Sequence, residues 1–193
     1  MMVSRETLIT RYFPGKEEEI LCYAQFLTTV GIERGLIGPR EADRIWERHI
    51  FNCLPVITLI SEGASLLDIG SGAGLPGIPI ALARPDLTVT LIEPLRRRVD
   101  FLAEAVANMD ITVLQGRAQD FKIKADFVTA RAVAPFKKLK AMSWHLVKIG
   151  GSLLAIKGES AADEVAGVKG AQLHEIQMEG LPLGRIISLQ KTG

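Results

Sequence analysis

An acidic residue and four glycines are concentrated in residues 68–77, which read Asp-Ile-Gly-Ser-Gly-Ala-Gly-Leu-Pro-Gly. Residues 66–69, which are apolar except for Asp68, predict a buried strand that leads into this stretch, and residues 78–83 predict the beginning of a helix after it. Glycines at alternate positions let the backbone turn tightly and approach a ligand, because no Cβ stands in the way. The stretch therefore predicts a binding loop for a nucleotide-like ligand.

Three ligand-binding patterns can be laid over this stretch, and their spacings distinguish them. Residues 72–77 fit the G-x-G-x-x-G of dinucleotide-binding loops, in which a pyrophosphate lies at the helix N-terminus. A phosphate-binding P-loop is excluded, because Ile78 stands where that motif requires a lysine. The third pattern, acid-x-Gly-x-Gly-x-Gly, begins at Asp68 and resembles motif I of the S-adenosylmethionine-dependent methyltransferases. Its glycines, the predicted cofactor contacts of this loop, are Gly70, Gly72 and Gly74.

Two carboxylates bear on the choice between these ligands. Asp68 would repel a nearby diphosphate by roughly 1 to 4 kcal/mol, depending on the local dielectric, whereas it suits a ligand with an ammonium and a sulfonium. Glu93 ends the next apolar run and is placed to accept hydrogen bonds from ribose hydroxyls, which both ligands contain. Asp68 also has a structural alternative as a helix-capping carboxylate, and the glycines have one as a tight turn without a ligand.

The length and composition predict one domain over residues 1–193, with 48% apolar residues. We expect an N-terminal helical cap over residues 1–62 and a ligand-binding core over residues 63–193. No run of 18 apolar residues and no signal peptide is evident, which predicts a cytoplasmic protein that does not bind membranes. Cys22 and Cys53 form no CxxC motif, so we expect buried free thiols and no metal.

Apolar runs alternate with helical patterns through the core and predict an α/β fold with parallel βαβ units. The linker at residues 180–184 is too short for a crossover helix, so the last two strands should form an antiparallel hairpin. A mostly parallel seven-stranded sheet with such a hairpin is expected of a Rossmann-like methyltransferase fold and is unusual for dinucleotide dehydrogenases. The predicted strands are 66–69, 89–92, 111–114, 127–130, 152–156, 173–178 and 185–189. The predicted helices are 17–29, 40–60, 97–109 and 136–147, with Pro55 expected to kink or divide the second.

The charge is unevenly distributed, although the whole chain carries a net charge of only +1. Residues 91–157 contain 12 basic and 6 acidic side chains, an excess of six positive charges. Such an excess favours a polyanionic partner such as a nucleic acid. Solvated helix faces are the alternative for any single residue.

Several motifs together resemble one family, the bacterial ribosomal RNA small-subunit methyltransferase G family. They are residues 67–79, 48–50, 131–132 and 157–158, and residues 33–40 resemble its actinobacterial members. The resemblance covers nearly the whole chain. It implies a class I S-adenosylmethionine-dependent methyltransferase that methylates N7 of one guanine, with 16S rRNA or the small ribosomal subunit as its partner. A monomer is expected for a compact enzyme that works on so large a particle.

The resemblance also implies roles for individual positions. Gly70 and Leu75 match cofactor contacts of the glycine loop. Ala118 and Gln119 match a pair that lies beside the adenine, and Arg131 matches an arginine near the methionine end. Many relatives have glutamate where this chain has Gln119, so an ionic role at that position is in doubt.

Guanine N7 carries a lone pair and no proton, so its methylation needs alignment and electrostatic stabilisation rather than a general base. The candidates for substrate positioning are Arg48, His49, Arg131 and Lys157. Arg48 and His49 are neighbours on a predicted helix and should not share a face, so one of them is expected to be structural. His49 as a core histidine and Lys157 as a surface charge are the alternatives.

Two other classes of protein stay open at this point. A nicotinamide-dependent oxidoreductase would keep the glycines but would not need Asp68, and the chain has no room for a separate substrate domain. A noncatalytic RNA-binding protein would keep the basic stretch but would not need the cofactor loop.

Overall fold

A seven-stranded sheet organises the computed structural model, which describes residues 3–193. The strands are β1 Ser65–Ile69, β2 Thr88–Glu93, β3 Ile111–Gln115, β4 Ala125–Arg131, β5 Val147–Lys157, β6 Gln172–Ile176 and β7 Gly184–Gln190. Their order is β3-β2-β1-β4-β5-β7-β6, and β7 runs antiparallel to both β5 and β6. The other pairs are parallel. The predicted fold class is confirmed, and β6 rather than β7 forms the edge.

Six α-helices accompany the sheet in the described residues. They are α1 Arg5–Tyr12, α2 Glu17–Phe26, α3 Gly77–Ala83, α4 Arg96–Ala105, α5 Phe136–Ser143 and α6 Ala161–Ala166. Helix α1 was not predicted; it begins after Ser4, whose Oγ accepts a hydrogen bond from the Thr7 N–H at 3.2 Å. Helix α6 was not predicted either, because six residues are too few to show a helical period. None of the helices in residues 3–193 is long and apolar enough to span a membrane.

The segment predicted as one helix over residues 40–60 is instead a series of short turns. The 3₁₀ turns are Pro39–Arg44, Phe51–Cys53 and Pro55–Leu59, and a π-helical turn spans Ile45–Ile50. The expected division at Pro55 is confirmed, because proline has no N–H and its ring clashes with the carbonyl four residues earlier. The α-helical form is wrong for the rest of the segment. Cys53, in this segment, is a buried free thiol as predicted, whereas Cys22 is exposed, so its predicted burial is wrong.

The helical segment before the sheet shares a hydrophobic core with it. Phe13, Ile20 and Leu27 from this segment belong to the same cluster of buried residues as Leu66 of β1 and Phe101 of α4. A second cluster fills the other face of the sheet, around Val128, Phe136 and Leu153. The N-terminal segment is therefore packed directly against the part of the sheet that carries the glycine loop.

Candidate cofactor and substrate site

The loop that follows β1 is shaped by glycines in the left-handed region of backbone space. Gly70, Gly72 and Gly74 have φ angles of 67°, 60° and 97°, which side chains rarely permit. A Cβ on Gly72 would have no neighbour closer than 3.9 Å. The loop therefore presents bare backbone to open space at Gly72, as a ligand lying on the strand end requires.

The other three glycines also serve close packing. A Cβ on Gly70 would lie 2.8 Å from Val133 Cγ2. A Cβ on Gly74 would collide with the Ile78 side chain and would lie 3.0 Å from the Tyr23 hydroxyl oxygen. A Cβ on Gly77 would collide with Leu91 and would lie 2.8 Å from Oδ2 of Asp68. The glycine pattern thus combines ligand access with close packing, and the sequence did not distinguish the two.

Asp68 is fully buried and uses its two carboxylate oxygens differently. Oδ2 accepts a hydrogen bond from the Gly77 N–H at 3.0 Å, at the beginning of α3. Oδ1 has no hydrogen-bond partner in the described part of the chain. Burial raises the pKa of Asp68 to about 7. One oxygen serves the capping role, and the other is an orphaned acceptor that fits a cationic ligand group.

Glu93, at the end of β2, is also buried and contacts the glycine loop directly. Its Oε2 accepts the Gly72 N–H at 2.9 Å, and its Oε1 accepts the Leu95 N–H at 2.9 Å. Each carboxylate oxygen has a second lone pair, so these bonds leave acceptor capacity for ribose hydroxyls. The ribose contact stays a prediction.

The remaining predicted cofactor residues lie at the same edge of the sheet, because β1, β2 and β3 are parallel. Ala118 begins a 3₁₀ turn after β3 and is buried, whereas Gln119 is exposed. Leu75 is half-buried in the glycine loop. Their contacts with a cofactor stay predictions.

A cleft of about 500 Å³ lies next to this loop, at the carboxyl ends of β4 and β5. Three of the four predicted positioning residues line it, namely Arg48, Arg131 and Lys157. The sequence did not reveal Asn52 or Glu164, which line the same cleft. Asn52 follows Arg48 by four residues, a spacing that offered a signal, whereas Glu164 lies in the unpredicted α6.

Arg131 uses most of its hydrogen-bonding capacity on the N-terminal segment. One terminal nitrogen donates to the His49 carbonyl oxygen at 3.0 Å and to Cys53 Sγ at 3.3 Å. The other donates to the Arg48 carbonyl oxygen at 3.1 Å and to His49 Nδ1 at 3.2 Å. A guanidinium has five N–H donors, so only the Nε–H is left for a ligand. This geometry makes Arg131 a link between β4 and the cap.

His49 and Arg48 contact the same carboxylate. His49 Nε2 lies 2.8 Å from Glu41 Oε2, and Arg48 lies 3.0 Å from Glu41 Oε1. Both side chains fold back along the chain onto Glu41, but of the two only Arg48 lines the cleft, so the expectation that one of them is structural stays a prediction. Burial lowers the pKa of His49 and favours the neutral ring. Since Nδ1 accepts from Arg131, the proton lies on Nε2 and points to Glu41.

Lys157 is not the surface charge that was the alternative to substrate positioning. Its side chain is 10% exposed, and Nζ lies 2.8 Å from Glu164 Oε2. Nζ also donates to the Ala134 carbonyl oxygen at 2.7 Å. Two of its three N–H donors are therefore used inside the protein.

Some members of the basic stretch are also engaged in ion pairs. Arg96 pairs with Asp100 and Lys148 pairs with Asp126. Six exposed basic residues of this stretch remain for a polyanion, and they are Arg97, Arg117, Lys122, Lys124, Lys137 and Lys138.

The sheet order with a reversed β7, together with an acid and glycine loop after β1, defines a Rossmann-like methyltransferase fold. Solved structures of methyltransferases have the same fold. A methyltransferase from Pyrococcus furiosus aligns with a TM-score of 0.62 at 14% identity, covering 94% of this chain and all (100%) of that one. A ribosomal protein L11 methylase from Lactobacillus delbrueckii aligns with a TM-score of 0.56 at 16% identity, covering 72% and 77% of the two chains.

Sequence relatives give the family. Residues 16–183 match the family model described as rRNA small subunit methyltransferase G, and the chain belongs to this family. Its relatives include the ribosomal RNA small subunit methyltransferase G of Kineococcus radiotolerans, 47% identical over 90% of this chain and 70% of the relative. That of Corynebacterium jeikeium is 55% identical over 74% of this chain and 68% of the relative.

Proposed function

We propose that this chain transfers a methyl group from S-adenosylmethionine to N7 of a guanine in 16S rRNA. The observation that carries the proposal is the unpaired, buried Oδ1 of Asp68 at the end of β1, followed by the open backbone of Gly72, in a chain of this family. The names of the relatives support ribosomal RNA as the substrate. Guanine N7 comes from the family resemblance.

The residues at the ends of β1, β2 and β3 fit the cofactor. We infer that Asp68 Oδ1 accepts a hydrogen bond from the cationic end of the cofactor, and that Glu93 accepts hydrogen bonds from its ribose hydroxyls. Gly70 and Gly72 would let the cofactor lie against the loop. Ala118 and Gln119 would flank the adenine, and Leu75 would pack on it. When bound, the cofactor supplies an electrophilic methyl group on a sulfonium.

The cleft at the carboxyl ends of β4 and β5 would bind the substrate base. Its volume suits one extruded base, and its free donors come from Arg48 and the Nε–H of Arg131, while Lys157 serves substrate positioning by holding the Ala134 carbonyl oxygen of the cleft wall. A donor on N7 would block the reacting lone pair, so these groups are expected to contact O6 or a phosphate instead. Their task is to align N7 with the methyl group and to stabilise charge.

We further infer that residues 1–193 act as one unit, a monomer in the cytoplasm, on 16S rRNA or the small ribosomal subunit. The exposed lysines of the basic stretch would neutralise its phosphates. No metal is needed for this chemistry, because N7 is already nucleophilic.

Two measurements test the proposal. In calorimetry, S-adenosylmethionine should bind and NADH should not. Labelled methyl should then pass from the cofactor to 16S rRNA, or to small subunits from cells that lack the enzyme, and mapping should place it on N7 of one guanine. Binding of NADH without S-adenosylmethionine would refute the cofactor, and label on another atom would refute the acceptor.

A further inference from the structure

The loop of residues 132–135, between β4 and α5, lies at the boundary between the two halves of the site. Its Val133 Cγ2 is 2.8 Å from the position that a Cβ on Gly70 would occupy. On its other side the loop lines the cleft, together with Arg131 and Lys157. Ala132 has a φ of 54°, a conformation that a residue with a side chain rarely adopts. Such a conformation persists only where its surroundings hold it.

A half-buried ion pair holds this loop at its far end. Glu164 Oε2 accepts the Phe136 N–H at 2.6 Å and lies 2.8 Å from Lys157 Nζ. Lys157 in turn donates to the Ala134 carbonyl oxygen at 2.7 Å. The two side chains are 19% and 10% exposed. One carboxylate and one ammonium thus fix two backbone groups on either side of Pro135.

The helix that follows the loop explains why an acid is needed there. Helix α5 begins at Phe136, and the residue before it, Pro135, has no side chain that could accept a hydrogen bond from the first turn. Glu164 supplies the acceptor from another helix, and its negative charge is favourable at that end of α5. Lys157 neutralises the carboxylate, which would otherwise be a poorly hydrated single charge.

We propose that Glu164 and Lys157 are positioning residues for methyl transfer, which they serve by holding the loop of residues 132–135 between cofactor and base. This inference rests on the proposed function. Because attack by N7 uses no general base, its rate depends on the distance and angle between two bound groups. Val133 touches the glycine loop while its neighbours line the cleft, so a shift of this loop changes that alignment. Lys157 thereby acts on the substrate through the backbone rather than by direct contact.

The test compares this ion pair with a matched one on the same strand. Lys157→Met and Glu164→Gln break the pair at the carboxyl end of β5. Lys148→Met and Asp126→Asn break the pair at its other end, where Nζ and Oδ2 are 3.0 Å apart. Methyl transfer is measured well below each variant's melting temperature, and hydrogen exchange is followed at residues 132–136. A Lys157→Met/Glu164→Gln double variant completes the cycle.

We expect at least a tenfold loss of kcat in both variants of the Lys157–Glu164 pair, with KM for RNA changed less than threefold. The double variant should lose about as much as either single one, and exchange at residues 132–136 should accelerate. The control variants should keep kcat within twofold.

Three results would overturn the inference. They are unchanged exchange at residues 132–136, an unchanged kcat, or an equal loss of kcat in the control variants. A wild-type protein that neither binds S-adenosylmethionine nor transfers methyl would instead refute the proposed function. Hydrogen exchange would then still report whether the pair holds the loop.

Discussion

The carboxylate of Asp68 and the backbone N–H of Gly77 are nine residues apart in the sequence and 3.0 Å apart in the structure. This hydrogen bond joins the end of β1 to the beginning of α3 and closes the whole glycine loop. The carboxylate fits only because Gly77 has no side chain. The shape of the cofactor loop therefore depends on one buried acid and one close backbone contact.

A methyl group at Gly77 should disrupt this arrangement. In Gly77→Ala the new Cβ would overlap Leu91 and crowd Asp68 Oδ2, so we expect a loss of about 1 to 3 kcal/mol in the free energy of unfolding. Affinity for S-adenosylmethionine should fall as well, because the loop must shift. Urea unfolding and calorimetry measure the two effects. Gly158→Ala is the control, since a Cβ there meets nothing within 4 Å. Equal effects of the two changes would contradict the packing account.

The protonation of Asp68 should make stability fall with rising pH. Burial raises the pKa of Asp68 to about 7 in the folded protein, against about 3.9 in the unfolded chain. As pH rises from 4 to 7, the unfolded chain releases this proton and the folded protein keeps it, so the free energy of unfolding decreases. Asp68→Asn should remove this contribution. Urea unfolding of both proteins at pH 5 and pH 7.5 gives the comparison, and identical pH dependence would disprove the assignment.

Binding of the cofactor should show the opposite pH dependence. A cationic ligand group pairs with ionised Asp68, so affinity should increase as pH rises from 5.5 to 7, by up to about tenfold per pH unit. Calorimetry in two buffers of different ionisation enthalpy would show proton release on binding. In Asp68→Asn the affinity should be lower and nearly independent of pH over this range. Proton uptake in the wild type would show that the ligand lies elsewhere.

Glu93 should affect both the shape of the glycine loop and the binding of the cofactor ribose. In Glu93→Gln one carboxylate oxygen becomes an amide NH₂ that faces a backbone N–H, at either Gly72 or Leu95. We expect at least a tenfold loss of affinity for S-adenosylmethionine by calorimetry. Glu62→Gln, at an exposed glutamate, should leave the affinity unchanged. Equal affinity of Glu93→Gln and the wild type would remove Glu93 from the cofactor site.

Arg131→Lys tests whether this arginine is chiefly a link to the cap. Lysine keeps the charge but cannot make four hydrogen bonds in the fork geometry of a guanidinium. We expect the free energy of unfolding to fall by about 2 to 4 kcal/mol, and activity to fall with it. Arg185→Lys, at an exposed ion pair, is the control. A loss of methyl transfer at unchanged stability would favour the direct substrate role that the sequence suggested.

The strands and the glycine loop could be predicted because their signals are local. Each central strand is an apolar run, and the acid and glycine spacing after β1 is specific. The two uses of glycine could not be separated, because the sequence shows neither the φ of 60° at Gly72 nor the close contacts at Gly77. Glu164 was missed because α6 is short, and because its partners, Lys157 and Phe136, belong to other elements.

The roles of the cap residues needed the tertiary structure even more. The family motif indicated Arg48, His49 and Arg131, but it did not show that they contact one another. The backbone carbonyl groups that accept hydrogen bonds from the Arg131 guanidinium have no distinct sequence signal. A π-helical turn is also invisible to a search for a regular helical period.

The contact between Arg131 and His49 also sets an order for folding. It joins residues 82 positions apart, so the N-terminal segment is synthesised well before the strand to which it docks. During synthesis, the apolar side chains of Phe13, Ile20 and Leu27 stay exposed until the sheet that buries them has formed. Closing so long a loop is slow, because its entropy is lost before the contact forms. The glycine loop has its own hydrogen-bond partners within residues 68–95, whereas the cap gains its contacts with Arg131 only after β4 has been synthesised.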